Sequence, residues 1–90
     1  MDSTTLLAGG RIVNKHGGTA ELVRELRHRL GLTQEKMAAR LGVTFPTINR
    51  WENGRARPSP LALKQIEDLL TDLGENGQDL RAKYFPKERI

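Results

Sequence analysis

The stretch Met37 to Trp51, MAARLGVTFPTINRW, holds two short apolar periods on either side of the connection Leu41-Gly42-Val43-Thr44. The first places Met37, Ala38 and Leu41 on one helical face, and the second places Ile48 and Trp51 on another. A short connection containing glycine suits two helices that cross steeply. Gly42 is expected at a positive φ, which other residues resist at about 1 kcal/mol. Ala38 is small, as close approach of the two helices requires, and Val43 and Ile48 supply apolar plugs on either side of the turn.

The flanking sequence extends the helical reading in both directions. Thr19 reads as a cap for a first helix whose face is Leu22, Val23, Leu26 and Leu30, stopped by Gly31. Thr33 caps the second helix and Gly42 ends it. Thr44 caps the third, with Pro46 in its first turn, where a missing N–H costs nothing. Ile48 and Trp51 form its inner face with Phe45 one step further round, and Asn53-Gly54 ends it. After the loop RARPSP, Ser59 and Pro60 make a matched helix start. The stripe that follows is Leu63, Ile66, Leu70 and Leu73 with Leu69 alongside, expected to pack for the most part on the first helix, and Gly74 stops it. A turn, ENGQ, leads to a last short helix over Gln78 to Tyr84, ended by Phe85-Pro86. The expected fold is all-α with four to five helices. It divides into a flexible, mildly basic N-terminal arm over 1–18 (Arg11, Lys15, His16), a helical domain over 19–74 and a C-terminal extension over 75–90. The central pair of helices has the spacing of a helix-turn-helix.

Composition narrows the function. Ninety residues make one domain. The absence of cysteine excludes a disulfide framework and the usual structural zinc sites, and fits a reducing cytoplasm. The apolar runs are too short to span a membrane, and the first residues carry Asp2 and no long apolar region, so a cytoplasmic location is expected. No nucleophile–base pair, metal cluster or phosphate loop is present, so neither an enzyme nor a cofactor is expected. His16 and His28 have no partner at metal-ligand spacing. The formal net charge of +4 points towards an acidic partner only if the basic residues cluster.

The string LGLTQEKMAARLGVTFPTINRWENGRARPS resembles the lambda- and 434-repressor-like family, also called the Cro/C1-type or XRE-type helix-turn-helix. The resemblance runs from about Thr19 to Gly74. Gln34, Ala38, Gly42, Ile48 and the WENG stretch stand where the family has its characteristic residues. The implied fold has the third helix, about 45–53, laid in the major groove of double-stranded DNA. The implied roles follow position by position. Gln34 matches a position that contacts the DNA backbone and supports the reading residues. Phe45, Pro46, Thr47, Asn49 and Arg50 match the base-facing side. Asn53, Arg55 and Arg57 match a loop that grips phosphate.

The chemistry of the residues agrees in part. Helical spacing turns Pro46, Asn49 and Arg50 away from Ile48 and Trp51. Arg50 can donate twice to guanine, and Asn49 can pair with adenine. Thr47 suits a phosphate or a thymine methyl, Arg55 and Arg57 suit phosphate, and the helix N-terminus at Thr44 is a further anion site. Phe45-Pro46 departs from the polar pair that many relatives carry. Neither side chain can hydrogen-bond a base, and Phe45 is expected either against thymine methyls or partly buried.

Glu52 is the discordant residue, an acid between Arg50 and Arg55. It lies four residues after Ile48, at the edge of the buried face, as Arg27 lies four after Val23 on the first helix. The resemblance implies that the two form a salt bridge. The neighbouring Arg24 and Arg29 read as a solvated helix face. The functional expectation is a sequence-specific DNA-binding transcriptional regulator. An antitoxin or other protein-interaction module on the same fold, with a toxin as partner, and a DNA-targeting component of a restriction–modification system are the alternatives. A homodimer on two half-sites is expected, with Leu69, Leu80, Tyr84 and Phe85 as the candidate self-association surface.

Overall fold

The computed structural model describes residues 18–86. The arm expected over 1–18 therefore lies, but for Gly18, outside the described residues. The fold is all-α: α1 (Gly18–Leu30), α2 (Gln34–Leu41), α3 (Phe45–Glu52), α4 (Pro60–Asp72) and α5 (Gln78–Tyr84), with a 3-10 turn over Gly74–Gly77 between the last two.

The starts and stops follow local chemistry. Thr33 Oγ1 accepts from the Lys36 N–H at 3.1 Å, and Ser59 Oγ accepts from the Ala62 N–H at 3.1 Å, so each satisfies a donor that its helix leaves open. Gly42 sits at φ 72°. Its N–H donates to the Ala39 carbonyl at 3.2 Å while the Val43 N–H donates to Ala38 at 2.9 Å, the paired closure that requires a left-handed residue at this point. Thr19 is not the cap of α1. The helix already includes Gly18, and Thr19 lies in its first turn.

The core joins Leu22, Val23 and Leu26 of α1 to Met37, Ala38 and Leu41 of α2 and to Ile48 and Trp51 of α3. α4 contributes Ala62, Ile66, Leu69 and Leu70, while Leu63 and Leu73 are only half-buried. The expected stripe is thus shifted round the helix. The reason is its surroundings: the closest backbone neighbours of α4 are α5, the 3-10 turn and α2 rather than α1. α5 folds back and inserts Leu80, 7% exposed, into the same core. Leu69 and Leu80 are therefore core residues and cannot form the self-association surface expected of them. Tyr84 and Phe85 also pack against the core, half-buried.

The return of α5 depends on Gly77, which is buried. A Cβ there would run into the backbone carbonyl oxygen of Leu70 and approach Leu73 Cβ to 3.1 Å. Arg29 fastens the other side. It donates to both Asp79 carboxylate oxygens at 2.6 and 3.0 Å, to the Asn76 carbonyl at 2.8 Å and to Glu25 at 3.1 Å. The Arg29 hydrogen bonds hold the Asp79 carboxyl below its usual range. Arg29 is thus a clamp between α1 and α5, and the reading of it as a solvated charge is corrected.

Candidate nucleic-acid interface

α3 rests on both α1 and α2, so its orientation is set by packing on two sides. Ile48, Trp51 and Glu52 turn inward. Pro46, Arg50 and Asn53 turn outward, with Asn49 half-buried between the two arcs. At the start of the helix Thr44 Oγ1 lies 3.4 Å from the Thr47 N–H and 3.0 Å from Thr47 Oγ1, so the two hydroxyls hold each other. Phe45, at 44% exposed, projects from the first turn. It is not folded into the core.

The C-terminal end of α3 repeats the closure seen at Gly42. Gly54, at φ 73°, lets its own N–H reach the Trp51 carbonyl at 3.1 Å and the Arg55 N–H reach Arg50 at 2.9 Å. Arg55 leaves the helix immediately after this turn, with Arg57 two residues on, both exposed. Arg50, Arg55 and Arg57 make no ion pair among the described residues.

Glu52 is the acid among these bases, and its side chain is only 4% exposed. Arg27 brackets it, Nε to Oε2 at 2.7 Å and Nη2 to Oε1 at 3.0 Å, while its third nitrogen donates to the Leu32 carbonyl at 3.1 Å. Gln34 Nε2 adds a third hydrogen bond to the carboxylate at 3.0 Å. Arg24 donates to the backbone carbonyl of Glu52 at 2.7 Å, where the α3 carbonyls point out of the helix end and favour a cation. Sequence reasoning missed this role of Arg24, whose placement three residues before Arg27 on one face of α1 was its only signal.

The polar chain continues outward. Gln34 Oε1 accepts from Asn49 Nδ2 at 3.3 Å, and Asn49 Oδ1 accepts from Asn53 Nδ2 at 3.0 Å. The structure thus brings Arg27, Glu52, Gln34, Asn49 and Asn53 into one connected line from α1 to the outward face of α3. Asn53 is the C-terminal cap of α3, at the Asn53-Gly54 stop expected for this helix.

A family model described as helix-turn-helix matches residues 23–71, more than half of the chain. The chain belongs to the XRE-type helix-turn-helix family. A relative from Methanothermobacter thermautotrophicus, named an uncharacterized HTH-type transcriptional regulator, is 51% identical over 49 residues, covering 54% of this chain and 71% of the relative. A second protein of the same printed name, from Archaeoglobus fulgidus, is 29% identical over 79 residues. That match covers 87% of this chain but only 34% of the relative, so the chain spans about a third of it. No solved structure matches the chain significantly.

In this helix-turn-helix protein α2 and α3 are the two helices of the motif, and α1 braces the second through its arginines. Burial alone would push the Glu52 carboxyl up, but the hydrogen bonds from Arg27 and Gln34 and the charges of Arg27 and Arg24 hold it below the ordinary carboxylate range. The hydrogen bond to Glu52 raises Arg27 in turn, against a smaller lowering by burial. Both partners are therefore charged at neutral pH, and the acid is neutralised inside the fold. Among the described residues no helix is long and apolar enough to cross a membrane, and no side-chain group is placed to hold a metal ion.

Proposed function

We propose that this protein is a sequence-specific double-stranded DNA-binding regulator of transcription, acting in the cytoplasm with α3 in the major groove. The single observation that carries the reading is the disposition of charge on α3. Its one carboxylate is buried against Arg27, while Arg50 on the helix and Arg55 and Arg57 just beyond it are exposed and unpaired among the described residues. Such a face offers donors and cations to phosphate and base edges with no opposing acid.

Arg50 is the reading residue for guanine and Asn49 the one for adenine. Phe45 and Pro46 make apolar contact at the groove floor. Thr44, Thr47, Asn53 and Gln34 approach the backbone, with Arg55 and Arg57 on the flanking phosphates. One such helix covers only a few base pairs, so two copies bind half-sites about one helical turn apart. The relatives named as transcriptional regulators support this role. Selection from a pool of random duplexes, followed by titration of the selected site at several salt concentrations, tests it. The expected result is a defined site whose affinity falls steeply with salt. Equal affinity for all duplexes, or none, would refute sequence-specific binding.

A further inference from the structure

The first turn of α3 is poor in free hydrogen-bonding groups. Pro46 has no N–H, and the Thr47 N–H donates to the Thr44 carbonyl at 3.0 Å. The Thr44 and Thr47 hydroxyls meet at 3.0 Å, so one of their two hydrogens is spent between them. Between these threonines stands Phe45, 44% exposed. Leu61 is the other large apolar side chain left exposed among the described residues, and it belongs to α4. The core takes up Ile48 and Trp51 from α3 but not Phe45. The leading edge of α3 therefore presents apolar surface, Phe45 with the exposed Pro46 beside it.

We infer that Phe45 and Pro46 read the C5 methyl group of a pyrimidine whichever base carries it, so that 5-methylcytosine is a ligand at the position where thymine is one. This inference rests on the DNA-binding reading above. The C5 methyl is the apolar mark on a base edge in the major groove, and among the four ordinary bases thymine carries it. Methylation of cytosine puts the same group at the same ring position. The two bases then differ at C4, where thymine offers an acceptor oxygen and cytosine a donor amine. A side chain that hydrogen-bonds can tell these apart. The side chains of Phe45 and Pro46 have neither donor nor acceptor, and so respond to the methyl alone. Binding thereby depends on the methylation state of cytosine within the site as well as on its sequence.

The test titrates the full chain, Phe45→Ala and Phe45→Leu on the duplex selected by the wild type, each protein first shown to be folded by its thermal melt. Deoxyuridine replaces each thymine in turn. The wild type is expected to lose affinity about four-fold at one thymine of each half-site, the worth of one methyl taken out of water. A cytosine–guanine pair placed there is expected to gain the same factor when the cytosine is 5-methylated. Phe45→Ala is expected to bind the methylated and unmethylated members of each pair alike, and Phe45→Leu to keep most of the difference. A gain from the methyl of thymine but not from that of 5-methylcytosine overturns the inference. So does a full methyl effect that persists in Phe45→Ala, which belongs to another side chain. A selected site insensitive to every C5 methyl overturns this inference alone, whereas failure to select any site overturns the DNA-binding reading and this inference with it.

Discussion

Arg27 holds Glu52 with two parallel hydrogen bonds, 2.7 and 3.0 Å, from one turn of α1 to the last residue of α3. The two residues lie far apart in sequence, and the pair takes the acid out of the row Arg50–Arg55. It is also the anchor of the amide chain that reaches Asn49. One ion pair therefore joins packing, charge and the outward face of α3.

Removing Arg27 leaves a buried, uncompensated carboxylate. Arg27→Met is expected to destabilise the protein by about 3 kcal/mol, and Arg27→Met with Glu52→Leu by clearly less than the two single changes combined. Urea unfolding of the four proteins of the cycle measures the coupling. A value near zero would mean that the pair is not held in solution.

The depressed pKa of Glu52 sets an acid dependence. Its carboxyl titrates lower in the folded chain than the unfolded value of about 4.3. The unfolded state therefore binds the proton first, and stability falls as the pH drops through the folded pKa. The contribution is complete above about pH 5. Stability followed by denaturant unfolding between neutral pH and acid should decline less steeply in Arg27→Met/Glu52→Leu than in the wild type.

The exposed arginines separate by role. Arg55→Ala is expected to weaken every duplex alike and to reduce the salt slope by about one. Arg50→Ala is expected to cost about 1–3 kcal/mol on the selected site and relax the preference at one base pair. Fluorescence titrations of matched and altered duplexes at several salt concentrations distinguish the two. An Arg50/Arg55 double variant that binds like the wild type would remove α3 from the interface.

Gly77 has no room for a methyl group because the obstacle is backbone, the Leu70 carbonyl. Gly77→Ala is expected to cost about 1–3 kcal/mol through displacement of α5 from α4. A thermal melt read by circular dichroism checks it, and an unchanged melting temperature would show that α5 is not seated this closely.

Leu80 distinguishes a core position from a self-association surface. Buried as it is, Leu80→Ala is expected to destabilise by about 2–5 kcal/mol and to leave the sedimentation of the folded fraction unchanged. A shift in association state with no loss of stability would return Leu80 to the surface.

Local chemistry already specified much of this fold in the one-dimensional string. Thr33, Thr44 and Ser59 cap, Gly42 and Gly54 close helices, and Ile48 with Trp51 mark the inner face of α3. Each of these acts over at most five residues, and a helix imposes its period whatever lies beyond it. The family motif lies in the same stretch, so α2 and α3 were identifiable before any packing was known.

Tertiary structure decided the rest, because long side chains are committed by what stands opposite them. Arg24 and Arg29 look like surface charges in sequence, yet one caps the end of α3 and the other clamps α5. Leu69 and Leu80 look surplus until α5 folds back and offers them a common interior. Gln34 and Asn49 are each ordinary polar residues. Only the crossing of α2 over α3 brings them to 3.3 Å, and only the buried Glu52 carboxylate behind Gln34 gives their hydrogen bonds a direction.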